Sequence, residues 1–172
     1  MIEEAQKPIL DLVLKYKPKS FCEIGCHNGM TARWLSHFIL ENYHPRLQYF
    51  GYDAFEDVEK VEHNGKSIPN QEKIITRLNW VNRKYKHFKY TLIKGLTKDT
   101  LISPIKFGIV YIDGGHSYET VKHDYSMIKE SKIIIFDDYN LSGVKKAVDE
   151  IGLGYQLPFE HVKNKKWVII NE

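Results

Sequence analysis

Two apolar segments of the 172-residue sequence end abruptly in acidic residues. In FGIVYIDGGHSYE, the apolar run stops at Asp113 and is followed by two glycines and His116. In KIIIFDDYN, a similar run stops at Asp137 and Asp138. Short apolar runs bounded by turn residues are typical of buried strands. If these strands are parallel neighbours, the three carboxylates meet at one edge of a sheet.

Carboxylates and an imidazole at this edge could bind a metal ion and transfer a proton. Three adjacent carboxylates repel one another when ionised without a partner, and a hard divalent cation that prefers oxygen ligands removes that cost. Asp113, Asp137 and Asp138 are therefore candidate metal ligands. His116 is a candidate general base, because the ordinary pKa of an imidazole suits proton transfer near neutral pH. Each residue is also compatible with a plain helix cap or turn.

A second set of candidate residues follows the first predicted strand. FCEIGCHNGMTARWL places Glu23, Gly25 and Gly29 where this strand turns into a helix. Gly25 permits backbone angles closed to other residues, and the helix start offers unpaired N–H groups. The next strand, YFGYD, ends at Asp53, where a carboxylate can accept both hydroxyls of a ribose. The pattern favours a nucleotide-containing ligand over the alternative of a tight turn and an exposed aspartate.

Strands that alternate with helices must position both sets of residues. Strands are predicted at 20–26, 47–53, 89–95, 107–113, 132–138, 155–160 and 165–172, and helices at 30–42, 71–85, 117–130 and 142–152. This alternation predicts one α/β domain over 1–172, with a mostly parallel sheet covered on both faces. The last two strands are joined by a turn, so they form an antiparallel hairpin. The polar segment 54–70 is expected to be a loop over the carboxyl edge of the sheet.

The composition limits the class of protein and its compartment. An apolar content of 42% and a charged content of 27% are ordinary for a globular domain. The sequence has neither an apolar run that could span a bilayer nor a secretory signal, so no membrane partner is expected. Cys22 and Cys26 do not make a disulfide framework, which favours a reducing cytoplasm. A net charge of +3 does not by itself favour nucleic acid.

Two motifs carry a resemblance to a known family. Glu23, Gly25 and Gly29 resemble the E-x-G-x-x-x-G signature of class I S-adenosylmethionine-dependent methyltransferases. IDGGHSYE resembles the macrocin O-methyltransferase-like and related metal-dependent sugar O-methyltransferases. The resemblance covers the chain from about residue 20 to its end. It implies a Rossmann-like three-layer sandwich whose seven-stranded sheet ends in an antiparallel hairpin.

The same resemblance implies cofactor contacts for the matching residues. Glu23 and the backbone around Gly25 would face the methionine part of S-adenosylmethionine. Asp53 would hold the ribose. Gly95 and Leu96 would border the adenine, although many relatives carry an acidic or polar residue in place of Leu96.

The acidic strand ends match the metal-dependent branch of this family. There, an acid after the fourth strand and an acidic pair after the fifth bind Mg²⁺, which corresponds to Asp113, Asp137 and Asp138. Asp113 also counts among the cofactor-binding residues, and it competes with His116 for the role of catalytic base. The implied activity is methyl transfer to a hydroxyl of a small molecule, with a sugar as one candidate acceptor.

Other candidate functions would require different sequence features. A NAD(P)-dependent oxidoreductase would need a G-x-G-x-x-G turn, which is absent, and the terminal hairpin also argues against it. A non-catalytic protein could keep the cofactor pocket, and an RNA methyltransferase would need a more basic face. Acceptor contacts would come from the 54–70 loop, from residues 139–142 or from a second subunit of a homo-oligomer.

Overall fold

The computed structural model describes residues 7–43, 46–57, 69–152, 155–157 and 166–171. The strands are β1 Ser20–Ile24, β2 Leu47–Asp53, β3 Phe88–Lys94, β4 Ile109–Ile112, β5 Ile133–Phe136, β6 Tyr155–Leu157 and β7 Lys166–Ile170. The helices are α1 Lys7–Tyr16, α2 Met30–Asn42, α3 Gln71–Lys84, α4 Thr97–Thr100, α5 Tyr118–Ile128 and α6 Ser142–Ile151. None of these helices is long and apolar enough to cross a membrane.

All the strands belong to one mixed sheet in the order β3-β2-β1-β4-β5-β7-β6. The pairs from β3 to β5 are parallel, whereas β7 pairs antiparallel with both β5 and β6. The strand order reverses direction between β1 and β4, which is where open α/β sheets bind ligands. The predicted α/β Rossmann-like fold with a terminal antiparallel hairpin is confirmed.

Two apolar cores lie on opposite faces of the sheet because side chains alternate along each strand. On one face, Ile109 and Ile133 pack in the core that contains the buried residues of α1, α2 and α3. On the other face, Val110 and Ile134 pack with α5 and α6. Every residue of β4 and β5 is buried, so these two strands form the centre of the molecule and hold their carboxyl ends rigidly side by side.

The central strands end earlier than the sequence predicted. β1 ends at Ile24 rather than at residue 26, and β5 ends at Phe136 rather than at 138. Gly25 has a φ of 85° and Asp138 has a φ of 53°, and neither angle allows a strand to continue. The candidate glycine and carboxylates therefore lie in the turns just beyond the strands, where they can face a ligand.

Two helices were not predicted, namely α1, whose apolar side buries Ile9, Leu10 and Val13, and the four-residue α4. Within the predicted loop at 54–70, residues Phe55–Asp57 form a short 3-10 helix. Residues 58–68 of that loop, and the turn of the hairpin at 158–165, lie outside the described residues.

Candidate functional site

The turn after β1 is packed directly onto the turn after β4. The backbone N–H of Asp113 donates to the Ile24 carbonyl at 2.8 Å, and that of Gly25 donates to the Tyr52 carbonyl at 2.8 Å. A Cβ atom on Gly25 would overlap the Asp113 carbonyl and lie 2.6 Å from the Gly114 Cα. Gly25 is therefore needed for close packing. This packing brings the turn after β1 against Asp113, one of the candidate carboxylates.

Helix α3 holds the far end of the same turn. The guanidinium of Arg77 donates to the backbone carbonyl of Asn28. Gly29, with a φ of 73°, precedes α2, and a Cβ there would lie 2.9 Å from the Ile74 Cβ. The predicted cofactor-binding residue Gly29 thus contacts α3 through its close approach to Ile74. The turn between Gly25 and Gly29 is fixed at both ends before any ligand arrives.

Asp53, at the end of β2, contacts the turn between Gly25 and Gly29 from another side. Its carboxylate accepts hydrogen bonds from the backbone N–H groups of His27 at 2.7 Å and of Phe55 at 2.6 Å. Burial raises the pKa of Asp53, and these backbone hydrogen bonds oppose the rise. A carboxylate has about four acceptor positions, so Asp53 retains the capacity to accept ligand hydroxyls while it holds the loop.

Glu23 lies beneath the turn and is 2% exposed. The hydroxyl of Tyr49 donates to its carboxylate at 2.7 Å. Burial raises the pKa of Glu23 well above its usual range, the Tyr49 hydrogen bond opposes the rise, and the negative charges of Asp113 and Asp53 add to it. A buried acid in such surroundings would be stabilised by a positively charged ligand group.

Gly95 and Leu96 follow β3 and lie beside the end of β2. The N–H of Gly95 donates to the Asp53 carbonyl at 3.0 Å, so this turn is tied to the residue predicted to hold the ribose. Leu96 is 45% exposed, which is high for a large apolar side chain. The imidazole Nε2 of His123 on α5 lies 3.2 Å from the Thr97 carbonyl, immediately after Leu96. An exposed leucine here offers an apolar surface to a flat ring.

Three of the predicted catalytic and metal-binding residues converge. Ligand-type atoms of Asp113, His116 and Asp138 all lie within 4.8 Å of one another. His116 Nε2 is 3.1 Å from the Asp138 carboxylate, and the Asp138 side chain is 5% exposed against 30% for His116. The group combines a nearly buried carboxylate with a more accessible imidazole, which is an arrangement that can accept a proton from a ligand.

The Asp137 carboxylate binds side chains that lie outside this cluster. Its Oδ2 accepts a 2.5 Å hydrogen bond from the Tyr111 hydroxyl and pairs with the Lys166 ammonium. Its Oδ1 accepts the backbone N–H of Asp138 at 2.8 Å. Burial raises the pKa of Tyr111 well above its usual range, and the charge of Asp137 adds to this, so the hydroxyl remains a donor.

Sequence reasoning missed Tyr111, Lys166 and Tyr49 as members of the site. Tyr111 lies two residues before Asp113, so the two-residue period of a strand places both side chains on one face. Lys166 begins a strand that runs antiparallel to its neighbour β5, and its position beside Asp137 follows from the pairing of Phe136 with Trp167. Tyr111 therefore carried a local signal, whereas the positions of Lys166 and Tyr49 depended on strand register.

Comparison with known families gives the class of this chain. A family model described as a methyltransferase domain matches residues 22–139, which include the carboxyl ends of β1 to β5. The chain therefore belongs to this methyltransferase family. The class I S-adenosylmethionine-dependent methyltransferase fold predicted from the sequence is confirmed. No curated protein matches the chain.

Solved structures share the fold at low sequence identity. TomG from Streptomyces achromogenes, an O-methyltransferase involved in tomaymycin synthesis and solved with SAM, matches with a TM-score of 0.68 and 13% identity, over 100% of this chain and 82% of that chain. An O-methyltransferase from Bacillus cereus in complex with SAH matches with a TM-score of 0.67 and 15% identity, over 99% and 83%. CalS11, a TDP-rhamnose 3'-O-methyltransferase in calicheamicin biosynthesis, matches with a TM-score of 0.57 and 15% identity, over 98% and 81%.

Proposed function

We propose that this protein transfers the methyl group of S-adenosylmethionine to a hydroxyl of a small molecule, with sugars as the first acceptor class to test. One observation carries the proposal: the Gly25 turn is packed against Asp113, next to a cluster that contains His116 and Asp138. A cofactor bound over the turn would present its methyl group near groups that can deprotonate an acceptor.

The geometry of the turns supports the cofactor contacts that the sequence predicted. Asp53 would accept the ribose hydroxyls, and the exposed side chain of Leu96 would pack against the adenine. The backbone around Gly25 would face the methionine part, and Glu23 would stabilise its ammonium group from below. The turns after β1, β2 and β3 that would carry these contacts follow neighbouring parallel strands, and the turn after β1 lies beside the strand-order reversal, where open α/β sheets bind ligands.

His116 is the base that the geometry favours. An alcohol is a poor nucleophile until its proton leaves, and a positioned base contributes about 10²–10⁴-fold to the rate of such a step. The Asp138 carboxylate, 3.1 Å from Nε2, would orient the imidazole and stabilise the imidazolium that forms when it takes a proton. Asp113, the other candidate base, lies within the same cluster.

The carboxylates of Asp113 and Asp138 fit a divalent cation such as Mg²⁺. Their nearest oxygens are within 4.8 Å of each other, and Mg²⁺ in proteins is commonly held by one or two carboxylates together with water. When bound, such an ion would lower the pKa of the acceptor hydroxyl. Asp137, the third acid in the predicted ligand set, is instead bound to Tyr111 and Lys166.

The acceptor class rests on two considerations. The structural neighbours TomG and CalS11 are named as O-methyltransferases, and CalS11 is named for a sugar nucleotide. In this chain, the residues after Asp138 lead into α6 at the same sheet edge, so segment 139–142 would border the acceptor. Homo-oligomerisation and a cytoplasmic location stay predictions from the sequence.

Calorimetric titration of S-adenosylhomocysteine into the protein tests the cofactor. We expect micromolar binding that persists in the presence of a chelator, because the cation would contact the acceptor. Absence of binding in both conditions would overturn the proposal. A panel of hydroxylated sugars and phenols, assayed with radiolabelled S-adenosylmethionine with and without Mg²⁺, then tests the acceptor class and the cation.

A further inference from the structure

Asp137 is surrounded by donors from three different parts of the fold. The Tyr111 hydroxyl comes from β4, the Lys166 ammonium from β7 and the Asp138 N–H from the turn itself. The Asp137 and Lys166 side chains are only 12% and 13% exposed. The Lys166 ammonium also lies 5.0 Å from the centre of the Tyr111 ring, where a cation is attracted by the aromatic face. This is a built, water-poor environment for one negative charge and one positive charge.

The fold sets the position of Lys166 independently of any ligand. β7 runs antiparallel to β5, and Phe136 pairs with Trp167. The first residue of β7 therefore lies beside the residue that follows β5, which is Asp137. A cation that entered this position would have to break a nearly buried ion pair, and breaking such pairs is strongly unfavourable.

The bond from Asp137 to Asp138 has a consequence for the cluster. Asp138 adopts a φ of 53°, a left-handed conformation that is unfavourable for residues other than glycine. The hydrogen bond from the Asp138 N–H to Asp137 Oδ1 supports this conformation, which places the Asp138 carboxylate 3.1 Å from His116. Lys166 therefore holds the Asp137 side chain in place. Asp137 then stabilises the backbone conformation that orients the Asp138 carboxylate.

We propose that the Lys166 ammonium takes the place of a divalent cation at Asp137, so that Asp137 positions Asp138 and stays outside the metal site. The three acids at the strand ends then have different roles. Asp113 and Asp138 face the acceptor, whereas the charge of Asp137 is neutralised by Lys166. This inference rests on the cation site suggested above under the proposed function. It predicts that Lys166 weakens divalent cation binding in the native protein.

Binding of Mn²⁺ alone to the cofactor-free protein tests this inference, with free Mn²⁺ measured by electron paramagnetic resonance. Lys166→Met releases Asp137 as an additional oxygen ligand and removes a nearby positive charge. We expect its Mn²⁺ affinity to exceed that of the wild type by at least about tenfold. In Lys166→Met combined with Asp137→Asn, the gain should disappear. Lys84→Met, which removes a lysine of α3 that pairs with Glu41 of α2 outside the cluster, should leave the affinity unchanged.

Two results would overturn the inference: an unchanged or weaker Mn²⁺ affinity in Lys166→Met, or a gain that survives the Asp137→Asn change. If circular dichroism shows that Lys166→Met does not fold, Lys166→Gln replaces it with the same expectations. S-adenosylhomocysteine is titrated into the same preparations. Failure of the wild type to bind it would count against the methyltransferase proposal, while the Mn²⁺ comparison would still decide the role of Lys166.

Discussion

The Asp53 carboxylate accepts a hydrogen bond from the backbone N–H of His27 over 2.7 Å, so the end of β2 holds the turn that follows β1. Asp53 could therefore affect the cofactor directly, through the ribose, or indirectly, through the turn. Asp53→Asn keeps the shape of the side chain and removes its charge. We expect S-adenosylhomocysteine to bind at least about tenfold more weakly, since a hydrogen bond to a charged group is worth about 1.5–3 kcal/mol.

Adenosine separates the two roles of Asp53, because it contains the ribose and lacks the methionine part. If Asp53 holds the ribose, adenosine should lose affinity in Asp53→Asn in proportion to S-adenosylhomocysteine, as measured by calorimetry. A loss confined to S-adenosylhomocysteine would contradict the ribose contact and leave Asp53 with the loop-holding role alone.

Gly25→Ala should destabilise the protein strongly. Alanine is unfavourable at a φ of 85°, and its Cβ would lie 2.6 Å from the Gly114 Cα. We expect the free energy of unfolding to fall by at least about 2 kcal/mol in urea denaturation. Gly152→Ala is a matched control, because Gly152 has a φ of 73° but the alanine Cβ would have its nearest neighbours at 3.8 Å. It should cost only about 1 kcal/mol, and equal losses in both variants would show that the overlap with the β4 turn is unimportant.

His116→Gln should impair methyl transfer far more than cofactor binding. Loss of the base should reduce kcat on the order of 100-fold or more, because a positioned base contributes about 10²–10⁴-fold. The affinity for S-adenosylhomocysteine should stay within about twofold, a change of well under 1.4 kcal/mol. Asp138→Asn should lower kcat in the same direction. His87→Gln, at an exposed histidine between α3 and β3, should leave both quantities unchanged. A parallel loss of turnover and cofactor affinity in His116→Gln would exclude a role confined to proton transfer.

Asp124 on α5 should make the stability depend on pH. Its side chain is fully buried, and burial raises its pKa from 3.8 to about 6, a rise that Thr97 and His123 only partly oppose. Between about pH 4 and 6 the folded state holds this proton more tightly than the unfolded chain, so the contribution of Asp124 to stability falls as the pH rises through that window. Above it, folding must bury an ionised carboxylate at a cost of roughly 3 kcal/mol.

Asp124→Asn should remove this dependence. In urea denaturation, the variant should gain stability over the wild type as the pH rises from 4 to above 6, and the two should converge near pH 4. Asp99→Asn, at an exposed position on α4, should track the wild type at every pH. Parallel curves for the wild type and Asp124→Asn would contradict the assignment of the pH dependence to Asp124.

Much of the architecture could be predicted because it depends on local patterns. The four-residue apolar runs at Ile109–Ile112 and Ile133–Phe136 are the central strands, and their length and flanking turns are visible in the chain. The helix at Met30–Asn42 was predicted with the correct bounds from apolar residues at helical spacing. Helix α1, whose apolar side packs in the core, was not predicted from the sequence.

The positions of Asp113, His116 and Asp138 at one edge follow from parallel strand order, which alternating strands and helices already imply. By itself the sequence thus determined the class of fold, the two sets of strand-end residues and the kind of chemistry they suggest. It could not determine that the Asp137 carboxylate pairs with Lys166, whereas the Asp138 carboxylate lies beside His116. That outcome depends on the antiparallel register that brings Lys166 beside β5, and such a pairing joins residues about thirty positions apart. Only the tertiary structure decided which acidic side chains lie close together, because charge pairing across strands depends on distances that the order of residues does not contain.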